Sequence, residues 1–70
     1  MDKLALKAKM IMNNDIGLTL AEALCISETT LSSKINEKTE FTRSEIAKIK
    51  ERYNLSAEDI DRIFFDLQVT

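Results

Sequence analysis

The sequence predicts an all-α fold in a single domain, residues 1–70. Three observations support this prediction. Proline is absent and the chain has one glycine, so the residues that strand-and-turn folds need for tight turns are scarce. Alanine, leucine, lysine and glutamate, which favour helices, are abundant. Apolar residues recur at intervals of three and four along most of the chain, which is the helical period.

The first two predicted helices run from about Lys3 to Asn13 and from about Ile16 to Leu24. Asp15 is the expected N-cap of the second, because a short carboxylate can accept from the free N–H groups of the first turn. On each of these two helices the apolar side chains share one face, and we expect that face to pack in the core. The residues expected to be buried are Leu4, Ala8, Ile11 and Met12 on the first helix, and Ile16, Leu20, Ala23 and Leu24 on the second.

The third predicted helix follows a tight turn at Cys25-Ile26 and runs from about Ser27 to Glu37, with Ser27 as its N-cap. Leu31 and Ile35 lie four residues apart and are expected to point inward. All other side chains from 28 to 37 are polar. The pattern therefore predicts a helix that is held by a narrow apolar seam and exposes most of its circumference.

The last two predicted helices run from about Arg43 to Tyr53 and from about Ala57 to Asp66. Thr42 and Glu45 form a capping box in front of the fourth, and Ser56 caps the fifth. Phe41 can pack on Ile46 as a hydrophobic staple. The expected core residues are Ile46, Ile49 and Tyr53 on the fourth helix, and Ile60, Ile63, Phe64 and Leu67 on the fifth.

Helices 2 and 3 together predict a helix-turn-helix over about 17–37, since two short helices joined by three or four residues present the second helix to the DNA major groove. Short hydroxyl and amide side chains can reach base edges, and lysines can hold phosphates. The residues predicted to contact DNA are Glu28, Thr29, Thr30, Ser32, Ser33, Lys34, Asn36 and Lys38.

Composition argues against an enzyme, a metal site or a cofactor. The chain has no histidine and one cysteine, Cys25, so it lacks a nucleophile–base pair and a set of metal ligands. Cys25 is expected to be a buried small hydrophobe and not a redox switch. No apolar run approaches a membrane span and no secretory signal precedes the first helix. We therefore expect a reduced, cytoplasmic protein.

The residues of this helix pair resemble a known family. Residues 20–27, LAEALCIS, are similar to the L-A-E-x-L-G-I-S signature of Cro/repressor-type (Xre-like) helix-turn-helix regulators, and residues 30–38 are similar to their recognition helix. The resemblance extends from about Lys3 to Phe65. It implies a compact five-helix repressor-like domain and a small phage or prophage transcriptional regulator. It also implies base contacts at Thr29, Ser32 and Ser33, and backbone contacts near Asn36 and Lys38.

Three residues depart from the family pattern. Cys25 stands where the turn glycine is usual, and Gly17 stands where a glutamine commonly holds a phosphate. Glu28 places a negative charge at the DNA-facing end of the third helix, where it could accept from cytosine N4 but repels phosphates. The net charge is −2, whereas nucleic-acid binders are usually basic.

The sequence thus predicts a regulator that binds double-stranded operator DNA as a homodimer. The alternative is an antirepressor or co-regulator that uses the same fold to bind another protein, such as a second phage regulator. The apolar C-terminal cluster is either terminal core or the candidate dimer interface. Its members are Phe64, Phe65 and Leu67.

Overall fold

A computed structural model describes residues 1–65, and this part of the chain is helical with no strand, which confirms the predicted all-α class. Of the predicted sites, Leu67 lies outside the described residues. No helix within the described range is long and apolar enough to cross a bilayer. The elements are α1 (Lys3–Met12), α2 (Gly17–Leu24), α3 (Glu28–Ile35), α4 (Arg43–Tyr53), α5 (Ala57–Ile60) and a π-helical segment (Asp61–Phe65).

The predicted caps of α3, α4 and α5 are confirmed. The Thr30 N–H donates to Ser27 Oγ at 3.1 Å. In the capping box of α4, the Glu45 N–H donates to Thr42 Oγ1 at 3.1 Å and the Thr42 N–H donates to Glu45 Oε1 at 2.8 Å. Ser56 caps α5 in the same way. Each cap satisfies backbone donors that have no partner inside their helix, so short side chains fix where these helices begin.

Helices α1 to α4 all end in the same left-handed turn. One residue in each turn has positive φ. The N–H of the residue that follows it donates to the carbonyl oxygen five positions earlier in the chain, as in Asp15 to Met10, which is the Schellman arrangement. This turn favours glycine, yet the single glycine of the chain is not used in it. The four turn residues are Asn14, Cys25, Glu37 and Asn54, with φ of 57°, 59°, 62° and 52°.

The core is assembled from one fully buried side chain on each of five elements. Smaller contributions come from Met10, Ala21, Leu24 and Tyr53. Because successive helices are joined by short turns, burial of these side chains fixes their mutual positions. The five residues are Leu6, Leu20, Leu31, Ile49 and Ile63.

The predicted core face of α1 is wrong. Leu6 and Met10 are the residues of α1 that are buried. They lie four residues apart, on the side of the helix opposite Leu4 and Ile11. Both belong to the same buried cluster as Ile63. Since both sides of α1 carry apolar side chains at helical spacing, periodicity could not select the buried side. The predicted core residues that the structure leaves exposed are Leu4, Ala8, Ile11, Met12 and Ile16.

Asp15 does not cap α2, which begins after Ile16. Its buried carboxylate instead joins the α1–α2 turn to the end of α4. Arg52 donates to it through Nε and Nη2 at 2.6 and 2.7 Å, the Tyr53 hydroxyl donates at 2.5 Å, and Thr19 Oγ1 donates at 2.8 Å. The Arg52 guanidinium holds the pKa of Asp15 far below its usual range, and the Tyr53 and Thr19 hydroxyls lower it further against the effect of burial.

The fifth helix differs from its predicted form. The α-helical part ends at Ile60, and residues 61–65 continue as a π-helical segment. This segment buries Ile63 and turns the Phe64 ring onto Phe41, with centroids 5.4 Å apart in an edge-to-face arrangement. The Ile63 carbonyl accepts from the Asp2 N–H at 2.7 Å, which ties the start of α1 to this end of the chain.

Candidate nucleic-acid interface

Three residues separate α2 from α3 and set their mutual angle. Cys25 takes the left-handed conformation that ends α2, at φ 59° and ψ 39°, and Ser27 caps α3 two residues later. Ile26 lies between them and packs against the core. Leu20, Ala21 and Leu31 are almost fully buried, and the small Ala21 side chain leaves room for the helices to lie close together. The prediction that Cys25 is buried is wrong, because its thiol is exposed.

The outer side of α3 is a polar surface with short side chains. Asn36 Nδ2 donates to Ser32 Oγ at 3.3 Å, and Ser27 Oγ donates to Thr30 Oγ1 at 2.9 Å. These local bonds restrict side-chain rotamers without burying the groups. Ser33 is half-buried, and the predicted contact residues that lie exposed are Glu28, Thr29, Thr30, Ser32, Asn36 and Lys38. We call these seven side chains the α3 polar face.

Lys34 does not belong to this surface, although it was predicted to contact DNA through a phosphate. Its Nζ lies 2.9 Å from Glu45 Oε1 and donates to the Glu40 carbonyl at 3.0 Å, and its side chain is only 10% exposed. Lys34 stands three residues after Leu31, on the inner side of α3, so it reaches the start of α4. Its ammonium is thus held inside the domain and is not presented to a phosphate.

Burial acts to raise the pKa of Glu45, but the Thr42 backbone N–H and the Lys34 ammonium outweigh it, and the pKa lies below its ordinary value. Lys34 Nζ also lies 5.9 Å from the centre of the Phe41 ring, within cation–π range. The pair is therefore a charged contact between α3 and α4 whose two side chains are largely buried.

The Glu28 side chain lies next to the first residue of α2. A Cβ built on Gly17 would stand 3.7 Å from Glu28 Oε2. The carboxylate is thus close to the positive end of the α2 dipole, where a negative charge is favoured. It places an anion on the surface beside the α3 polar face.

A cation that sequence reasoning missed lies at the other end of this surface. Lys3 Nζ donates to Asn36 Oδ1 at 3.5 Å, which brings the start of α1 to the end of α3. The Met1 amino group similarly lies 2.9 Å from Glu37 Oε1. No local pattern could have indicated these contacts, because they join residues more than 30 positions apart.

The two predicted dimer residues that are described have different surroundings. Phe64 is half-buried against Phe41, whereas Phe65 is 55% exposed. Phe64 is therefore part of the intramolecular core, and Phe65 is the ring that remains accessible. No group of three side chains suited to holding a metal occurs among residues 1–65.

Comparison with curated proteins and with solved structures gives no match. A family model does match the chain, over residues 1–67, and it is described as a protein of unknown function, DUF739. The match covers all the described residues and with them the whole α3 polar face, so the chain belongs to the DUF739 family.

Proposed function

We propose that this protein binds duplex DNA through a helix-turn-helix formed by α2 and α3, and that it acts as a transcriptional regulator in the cytoplasm. One observation carries the proposal. Two eight-residue helices are joined by a three-residue turn, and the second exposes a polar face while Leu31 and Ile35 hold its inner side. A helix mounted this way fits the major groove.

The side chains of the α3 polar face suit contact with base edges. Thr29 and Ser32 lie three apart on α3, so they project on the same side of the helix. Their hydroxyls can both donate and accept, and the threonine methyl can contact the methyl group of thymine. Lys38 is exposed just after the end of α3, and Lys3 bonds to Asn36 there; both would hold phosphates in place of the buried Lys34.

Glu28 is expected to oppose this binding through repulsion of the phosphates. Glu28→Gln keeps the shape of the side chain and removes its charge. We therefore expect the variant to bind non-specific duplex DNA more tightly than the native chain, most clearly at low salt.

The proposal is tested by selection on random duplexes, followed by fluorescence anisotropy with the selected sequence at several salt concentrations. Native protein should bind, and its affinity should fall as salt rises. Thr29→Ala/Ser32→Ala should weaken binding about tenfold or more, since a good base contact contributes about 1–3 kcal/mol. Ser44→Ala removes an exposed hydroxyl at the start of α4 and serves as the matched control.

Failure to enrich any sequence, together with no binding at low salt, would reject DNA as the target. The same affinity in Thr29→Ala/Ser32→Ala and in Ser44→Ala would exclude α3 as the reading helix. The homodimer expected from paired half-sites would give cooperative binding to sites spaced by about one helical turn.

A further inference from the structure

The outward side of α1 is apolar, and nothing in the described part of the chain covers it. Leu4 and Ile11 are each 74% exposed and Met12 is 72% exposed, with Ala8 between them. At about 100° per residue, these four side chains fall within a stripe about 100° wide. We call this stripe the α1 outer face. A surface helix ordinarily packs on a core through an apolar stripe of this same width.

Exposed large apolar residues are normal when they occur singly, but three on one side of a ten-residue helix are not. They are not needed to hold α1 in place, because Leu6 and Met10 on the opposite side already do so. The α1 outer face therefore has the character of a contact surface.

Charge indicates what covers this surface. Helix α1 carries Lys3, Lys7 and Lys9 and no acidic residue. Lys7 flanks the stripe on one side and Lys9 on the other. No carboxylate among residues 1–65 forms an ion pair with Lys7, whereas Lys9 lies near enough to Asp59 to lower the pKa of that carboxyl. Residues 13–70 carry seven basic and eleven acidic side chains, so α1 is a basic strip on an acidic protein.

A second copy is a poor occupant of this surface. Packing of two α1 helices about a twofold axis near Ala8 would set Leu4 against Met12 of the other copy. The same arrangement would bring Lys7 of the two copies together, with no acid on either helix to compensate. Like charges across an interface disfavour the pairing.

We propose that the α1 outer face binds an acidic amphipathic helix of a partner protein. Apolar side chains of the partner would pack on Leu4, Ile11 and Met12, and its flanking aspartates or glutamates would pair with Lys7 and Lys9. Ala8, at the centre of the stripe, allows the two helix axes to approach closely. The contact uses the common mode in which a helix is recognised through apolar anchors at positions i, i+3, i+4 and i+7.

The experiment measures binding of the full chain to two synthetic helical peptides by fluorescence anisotropy. Both peptides have the same leucine stripe; glutamates flank it in one and lysines in the other. The protein should bind the glutamate peptide, and binding should weaken as salt rises. Leu4→Ser/Ile11→Ser should lower the affinity about tenfold or more without loss of helicity, because both side chains are mainly in solvent.

Charge is tested separately by a matched pair of substitutions. Lys7→Glu should weaken binding of the glutamate peptide and strengthen binding of the lysine peptide. Lys48→Glu makes the same change at an exposed position of α4 and should alter neither.

Three outcomes would overturn the proposal. The first is equal binding of both peptides, or binding of neither. The second is binding to vesicles of phosphatidylserine and phosphatidylcholine that Leu4→Ser/Ile11→Ser abolishes, with no binding of the glutamate peptide, which would identify a lipid surface instead. The third is a dimer in solution that the same double variant converts to a monomer, which would identify a second copy.

Discussion

Cys25 and Glu37 adopt a backbone conformation that glycine adopts at lower energy. Both end a helix with positive φ. A residue with a Cβ pays about 1–2 kcal/mol to adopt the left-handed conformation. Glycine adopts it without that strain, but it loses more conformational entropy on folding, which costs about 0.5–1 kcal/mol relative to alanine. The difference leaves a small net advantage for glycine at each position.

Cys25→Gly should therefore raise the free energy of unfolding by about 0.5–1 kcal/mol in urea denaturation, whereas Glu37→Gly would also remove the ion pair with the Met1 amino group and should gain less. Glu22→Gly, in the interior of α2, is the control and should lower it by about 1 kcal/mol. A marked loss of stability in Cys25→Gly would show that the cysteine side chain contributes packing despite its exposed thiol.

Lys34 illustrates how the role of one side chain depends on its partner. Lys34→Met keeps much of the volume and removes the ammonium, which leaves the Glu45 carboxylate largely buried without its cation. We expect the free energy of unfolding to fall by about 3 kcal/mol.

Lys34→Met/Glu45→Gln removes the charge on both sides and should recover part of that loss. Urea denaturation of the single and double variants measures the coupling between the two residues. Additive losses would mean that Lys34 and Glu45 contribute independently.

At the scale of elements, the contact between the α1–α2 turn and α4 depends on one carboxylate. Asp15 accepts from side chains on α2 and on the last turn of α4, and these donors hold its pKa well below that of an exposed aspartate. A carboxyl whose pKa is lower in the folded state stabilises the fold above its unfolded pKa, about 3.9. That contribution is lost as pH falls below this value.

The native chain should therefore lose stability steeply between about pH 4 and pH 2. Asp15→Asn should be less stable at neutral pH and should show a shallower decline over the same interval. Circular dichroism during urea titration at each pH measures both effects. Glu51→Gln changes an exposed carboxylate on α4 and is the control; an equally shallow decline there would mean that Asp15 is not the group responsible.

For the whole molecule, the question is how the apolar C-terminal segment is used. Phe64 packs on Phe41 within the domain, while Phe65 is exposed at the end of the described residues. These different surroundings separate the two roles that the sequence left open.

Phe64→Ala should lower the free energy of unfolding by about 3 kcal/mol or somewhat less, since its ring is only half-buried. Phe65→Ala should leave stability nearly unchanged and should reduce the mass in analytical ultracentrifugation if this segment forms the proposed homodimer. An unchanged mass in Phe65→Ala would exclude its ring from any dimer interface.

The sequence by itself determined the all-α class, the helices and most of their boundaries. These features depend on local chemistry: capping by Ser27, Thr42 and Ser56, and apolar spacing along α4. The polar face of α3 was predictable for the same reason, because polar residues there surround a seam of two apolar ones.

Only the tertiary structure decided which apolar side of α1 is buried and where Lys34 and Asp15 find their partners. Leu6 and Leu4 have the same hydropathy and both fit a helical stripe, so the choice depends on what α1 packs against. Lys34 and Asp15 are charged residues whose partners are distant in sequence, at 45 and 52. Long-range packing energies select such contacts, and no local pattern in a single sequence encodes them.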